Sequence, residues 1–161
     1  MLETAHHLLQ TLEHVTPLLL QISEAESTHR PAPGKWSKKE IIGHLIDSAG
    51  NNQQKFVRAL HAEAHLNFVG YAQDDWVRIQ HYQQADWPAL VRFWDAYNRH
   101  LAHLIAHADP AKLSNTLTID GSGPFRLDFI MADYVEHLKH HLKAVLPEAG
   151  LESRFENVYG G

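Results

Sequence analysis

The segment D-Y-V-E-H-L-K-H-H-L-K-A-V-L places His137 and His141 four residues apart in a stretch with helical periodicity, so both rings leave one helical face, one turn apart. His44 stands in a second such stretch. Three neutral imidazoles from two helices can hold one divalent cation and keep a coordination position open, which is what separates a catalytic metal site from a closed structural one. The bland alternative is that each histidine, sitting at the rim of a core, only hydrogen-bonds to backbone. The chain has 14 histidines, so spacing alone discriminates poorly. His100, His103 and His107 form a rival stripe at helical spacing.

Helical phase separates the two stripes. At about 100° per residue, Trp87, Leu90, Trp94, Leu101, Ile105 and Ala108 share one apolar arc, and His100, His103 and His107 lie roughly opposite it. Those three are expected to face water. In the last helix the apolar arc is Leu127, Met131, Tyr134, Leu138, Leu142 and Val145. His141 and His137 flank that arc, roughly 60° and 100° from its centre. They can reach the rim of the core.

The rest of the composition narrows the chemistry. At 161 residues the chain is read as one domain with a core large enough to need no staples. It contains no cysteine, which excludes disulfides, thiolate metal sites and a protein-borne thiol nucleophile. A formal charge of -5 supplies no basic field for phosphate backbones, so nucleic acid is not an expected partner. The opening M-L-E-T-A-H-H-L-L-Q carries an acid and two histidines where a signal peptide has basic residues, and no apolar run has the length of a membrane span. The expectation is a cytoplasmic protein that engages no membrane.

Four long segments carry helical periodicity. The first is expected over Glu3 to Ser23, with Pro17 as a point of kinking or splitting near Val15. The polar stretch from Glu24 to Lys35, with Pro31, Pro33 and Gly34, is expected to be a loop. The second helix opens on the capping box Ser37 and Glu40 and runs to about Glu63, with Glu40, His44, Asp47, Ser48 and Asn51 in a polar strip beside its apolar face. A long connection from Ala64 to Ala85 contains Gly70, Tyr71, Asp74, Asp75 and Trp76 and is expected to cross the bundle or wall a site. The third helix runs from an Asp86 cap to Asp109. Leu113 to Ile119 is expected as a short strand or extended segment, Asp120 to Pro124 as a turn, and Arg126 to Leu146 as the fourth helix. The tail from Glu148 to Gly161 has no clear period. Little strand signal accompanies these helices, so the expected class is all-α, a four-helix bundle over residues 1–147 with a tail over 148–161 and long connections after helices 2 and 3.

Several chemistries are excluded by pattern. A di-iron bundle needs Glu-x-x-His motifs from two of its long helices, and of the two stretches with that spacing, Glu3 to His6 and Glu26 to His29, the second falls in the expected loop. There is no glycine-rich phosphate loop, G-x-S-x-G or H-E-x-x-H. The lack of C-x-x-C-H rules out covalent haem.

The segment G-K-W-S-K-K-E-I-I-G-H-L-I-D-S over Gly34 to Ser48, followed by the helical H-x-x-x-H at His137 and His141, resembles the DinB/YfiT-like superfamily. Y-x-x-x-x-W at Tyr71 to Trp76 is similar to the matching connection of YfiT-like members. The resemblance implies an up-down-down-up four-helix bundle and a divalent metal, zinc or nickel, held by His44, His137 and His141. It also implies two activity classes, transfer or isomerisation with a low-molecular-weight thiol as cosubstrate, and metal-dependent hydrolysis.

The leading expectation is a metal-dependent enzyme that activates a low-molecular-weight thiol for attack on an electrophilic small molecule. The cysteine-free chain requires that thiol to come from outside. Metal-dependent hydrolysis and a non-catalytic metal-binding bundle are the alternatives. Hydrolysis needs a carboxylate near the metal, and Asp47 and Asp133, each one turn from a candidate ligand, could be that base, could orient an imidazole, or could be plain solvated acids. Asp47, Ser48 and Asn51, with part of the Tyr71 to Trp76 connection, are the expected walls of the cleft, and Ser48, Asn51, Tyr71 and Trp76 its expected cosubstrate-binding residues. A small-molecule substrate is expected, with a homodimer left open.

Overall fold

The structure, a computed structural model, describes residues 1–159 of the chain. Four long helices form the frame: α1 (Leu2–Leu19), α3 (Lys38–His61), α5 (Trp87–Ala106) and α6 (Leu127–Val145), with two short ones, α2 (Glu24–Thr28) and α4 (Gln73–Ile79), between them. α1 continues through Val15 and ends at Leu19, two residues beyond Pro17, so the proline sits in the last turn instead of splitting the helix. The segment expected to be a loop begins with α2. Ser23 caps it, its hydroxyl accepting from Glu26 N at 3.2 Å. The short helix is fixed by charge: the buried Lys39 ammonium reaches the Glu24 carboxylate and donates to Ala85 O at 2.6 Å, while Arg30 pairs with the buried Glu40.

The capping box is present as read. Ser37 Oγ accepts from Glu40 N at 3.3 Å and the Glu40 carboxylate accepts from Ser37 N at 2.8 Å, which sets the start, and hence the phase, of α3. α5 starts at its Asp86 cap, whose carboxylate accepts from Ala89 N at 2.9 Å.

The all-α expectation needs one correction, because the two long connections pair with each other. β1 (His65–Phe68) lies parallel to β2 (Thr116–Ile119), and β2 lies antiparallel to β3 (Ser122–Arg126), giving a three-stranded sheet in the order β1-β2-β3. β1 and β3 were not expected. A four-residue strand presents too short a pattern to stand out, and its partner is about fifty residues away. The turn between β2 and β3 holds Asp120 and Gly121 at φ of 47° and 82°. Asp120 clasps the two connections, its carboxylate accepting from Gly70 N at 2.9 Å while its own N donates to Phe68 O at 3.1 Å. A β-carbon on Gly70 would lie 2.1 Å from Asp120 Oδ2, so the approach requires glycine there.

α1 packs against α5 and α6, and α3 packs against the same two helices. The enclosed core includes Leu8, Leu12, Val15, Ile42, Leu45, Phe56, Trp94, Leu101, Met131 and Leu138, all buried. This burial is what holds amphipathic helices of this length together. His100, His103 and His107 are exposed on α5, as their phase requires. Among the described residues no helix is long and apolar enough to cross a membrane.

Candidate metal centre

α3 and α6 face each other along the strip that carries the histidines. His137 Nε2 lies 3.4 Å from His44 Nε2 and 3.1 Å from His141 Nε2, and one ligand atom from each ring falls within 4.8 Å of the others. Tetrahedral ligation at about 2.0 to 2.1 Å separates two ligand nitrogens by about 3.3 Å, so the observed spacings are those of a preformed three-nitrogen face. The rings stand nearly edge to face, with interplanar angles of 68°, 63° and 70°. The Nε2 atoms of His44 and His141 both lie against that of His137.

The electrostatics suit a cation. Burial first, and the neighbouring histidines second, lower the pKa of His44 to about 3, His137 to about 2 and His141 to about 4. All three are neutral at pH 7, with lone pairs available and no carboxylate in the cluster to compensate a proton. The support behind the rings is sparse. Ser48 Oγ lies 3.5 Å from His137 Nδ1, and the buried His44 Nδ1 has no partner among the described residues. The ring of Trp36 lies 5.0 Å from that of His44 and packs it in place without a hydrogen bond.

Neither candidate carboxylate orients an imidazole. Asp47 is buried and turned to the opposite flank of α3, where its Oδ1 accepts from Tyr82 OH at 2.7 Å and from Gln80 Nε2 at 2.5 Å. Burial raises its pKa, and these two hydrogen bonds act against the rise. The physical reason is phase. Relative to His44, Asp47 lies about 60° to one side of the helix, whereas Ser48 and Asn52 lie about 40° and 80° to the other. The second flank is the open one.

A cavity of about 490 Å³ lies along it, lined by Ser48, Asn52, Lys55, Tyr71, Asp133, His137, His140, His141 and Tyr159 among others. Of the expected walls, Ser48 and Tyr71 line this cavity and Asp47, Asn51 and Trp76 do not. Asn51 folds back to donate to Asp47 O at 2.9 Å, and Trp76, 41% exposed, packs at a tilt against Tyr71. Asp133 does reach the cavity. Burial raises its pKa, while Tyr159 OH, donating to Asp133 Oδ2 at 2.5 Å, works in the other direction.

Three groups of lining residues escaped the sequence reading. Asn52 and Lys55 continue the strip of His44 and Ser48 at helical spacing, a signal that was available. His140 adjoins His141. The tail contributes Phe155, Asn157 and Tyr159, and no periodicity announced them. The tail is anchored by Ser153 Oγ donating to Glu136 O at 2.8 Å and by Arg154 N donating to the Glu136 carboxylate at 2.6 Å, which lays Phe155 against His137 at 5.0 Å. Gly160 and Gly161 of the predicted tail lie outside the described residues.

Comparison with known proteins agrees with this fold. No curated protein matches the chain. Among solved structures, YfiT from Bacillus subtilis, described as a probable metal-dependent hydrolase with an unusual four-helix bundle topology, is similar over 93% of this chain and 87% of its own, with a TM-score of 0.79 and 16% sequence identity. At that identity the likeness is one of fold. The profile of the DinB superfamily matches residues 5–145, which take in all three histidines, and the chain belongs to the DinB superfamily.

Proposed function

We propose that this protein is a metal-dependent hydrolase of small amides or esters, with His44, His137 and His141 holding one divalent ion, zinc or nickel, both of which suit imidazole. The observation that carries the reading is the cavity of about 490 Å³ opening directly on the three-histidine face, with an acid of raised pKa on its wall. An ion held there supplies Lewis acidity and lowers the pKa of a bound water toward neutrality. Asp133, one turn before His137, takes the proton released by the attacking water and returns it to the leaving group. Tyr159 orients that carboxylate, and Asp47 serves α3 by anchoring Tyr82. The YfiT likeness supports the fold on which this reading is built.

Activation of an external low-molecular-weight thiol would use the same triad and the same open position, and the cysteine-free chain allows it. Asp133 favours hydrolysis, because the departing amine or alcohol of an amide or ester needs a proton that a neighbouring acid returns to it. The non-catalytic alternative has no use for an open cavity on the triad.

The reading takes the bundle, residues 1–147, as up-down-down-up. In support, Trp87 at the start of α5 donates to Leu19 O at the end of α1, while Lys39 near the start of α3 meets Ala85 just before α5. Residues 148–159 complete the cavity, and no second copy is needed to build it. A small-molecule enzyme of this kind acts in the cytoplasm.

The test is metal analysis of protein purified without a histidine tag, followed by a panel of p-nitrophenyl esters and anilides with and without added thiols. The expected result is about one metal per chain, hydrolysis without thiol, loss of metal and turnover in His137→Ala, and a hundredfold or greater fall in turnover with metal retained in Asp133→Asn. Turnover that appears only with a thiol, accompanied by a sulfur-to-metal charge-transfer band in cobalt-substituted protein, would replace hydrolysis by thiol transfer.

A further inference from the structure

Resting on the hydrolase reading of the same cavity, we propose that its substrate carries a carboxylate and that Lys55 is the residue that binds it. Lys55 lies eleven residues beyond His44 on α3, about 20° from it in phase and about 10 Å past Ser48 along the helix axis. It therefore stands on the same strip as the triad, at the far end of the cavity that it lines. Among the described residues the ammonium makes no hydrogen bond and no ion pair. The two acids that act on it through space each hold another donor: Asp120 Oδ1 accepts from Gly70 N at 2.9 Å and Asp133 Oδ2 from Tyr159 OH at 2.5 Å.

Desolvation lowers the pKa of Lys55, with Asp120 and then Asp133 acting against it. A half-buried ammonium that faces a cavity with no anion in contact is placed to pair with one from outside. A second donor points the same way. Tyr71 lines the cavity too, and its hydroxyl likewise makes no hydrogen bond among the described residues. Two donors that face one cavity with no protein acceptor are both open to an acceptor on a ligand.

The charge count selects the acceptor. One ammonium can pair with one carboxylate, whereas a phosphate dianion would bring twice the charge past Asp120 and Asp133 against the same single cation. No arginine lines the cavity to offer the paired donors that phosphate prefers. The lysine side chain leans toward the start of its helix, that is toward the triad, so the carboxylate falls several bonds from the group placed at the histidines. An N-acyl amino acid has that layout, with its acyl bond at the metal end and its acid at Lys55.

The experiment is a titration of the metal-free protein with N-acetyl-β-alanine, with its uncharged amide, and with inorganic phosphate, followed through the lysine Cε–Hε resonances. The expected result is a saturable shift of the Lys55 signal by the acid, with binding at least about tenfold weaker for the amide, for phosphate, and in Lys55→Met, and partial recovery in Lys55→Arg. If Lys55→Met fails to fold, Lys55→Gln, which is polar and similar in length, takes its place. Equal binding of acid and amide, unchanged affinity in the folded Lys55 variants, tighter binding of phosphate, or no saturable shift would each overturn the assignment. Because no metal is present, the outcome is separate from the hydrolase reading. Carboxylate binding without turnover in the metallated protein would sink hydrolysis alone, and turnover without carboxylate preference would sink the Lys55 assignment alone.

Discussion

Replacing Gly43 by alanine tests how the closed flank of α3 is built. A β-carbon there would lie 2.1 Å from Tyr82 Cδ2 and 2.2 Å from Cγ, against an ordinary carbon–carbon contact of about 3.5 to 4.0 Å, so the ring must retreat by about 1.5 Å. Tyr82 is only 7% exposed and its hydroxyl donates to Asp47 Oδ1 at 2.7 Å, so retreat strains packing and breaks that hydrogen bond together. Overpacking costs about 1–3 kcal/mol and loss of a hydrogen bond to a carboxylate about 1.5–3 kcal/mol. Alanine in a helix interior returns about 1 kcal/mol. The expected net loss is about 1.5–5 kcal/mol, or a fall in Tm of about 3–20 °C for a chain of this size. Urea unfolding should show a lower midpoint at unchanged slope. In a Tyr82→Ala background the same Gly43→Ala change should be neutral or stabilising by up to about 1 kcal/mol, since only the helix term remains. A Gly43→Ala protein within about 0.5 kcal/mol of the parent, or an equal cost in both backgrounds, refutes the argument.

Two further outcomes follow from the histidines. Replacing His100, His103 and His107 together by glutamine should leave metal stoichiometry unchanged, because all three are exposed on α5; loss of the metal, measured by elemental analysis, would mean that the wrong stripe has been assigned. For metal-free protein, the folded pKa values of His44, His137 and His141 lie near 3, 2 and 4, below the unfolded value of about 6.5. The unfolded chain then binds more protons, so stability should fall as pH drops below about 6.5 and keep falling toward the folded values, with no contribution from these residues above about 7.5. Urea midpoints from pH 8 to pH 4 should decline more steeply for the parent than for a variant with all three changed to glutamine, and equal declines would show that the rings are not buried as neutral groups.

The features legible in the sequence are those decided within one turn or one helix. The capping box at Ser37 and Glu40, the pairing of His137 with His141, and the outward stripe on α5 depend on local backbone geometry and on a period of 3.6 residues, both of which are written along the chain. The four long helices were readable for the same reason. The short strands were not, because β1 and β2 gain their hydrogen bonds from each other across some fifty residues and neither segment has enough length to show a pattern. Phase placed Asp47 and Ser48 on either side of His44 but could not say which side is open. Tyr82, arriving from a connection thirty-five residues on, fills the Asp47 side, and Gly43 makes room for its ring. The tail is the clearest case. Phe155 and Tyr159 have no periodic signal, and their places on His137 and Asp133 come from hydrogen bonds to Glu136, a residue of another element. Of the three candidate ligands, His137 and His141 were thus legible from spacing along one helix and His44 from the resemblance of its segment, whereas the cavity and its walls exist only where distant segments meet, because packing and burial are properties of the folded neighbourhood and leave no period in the chain.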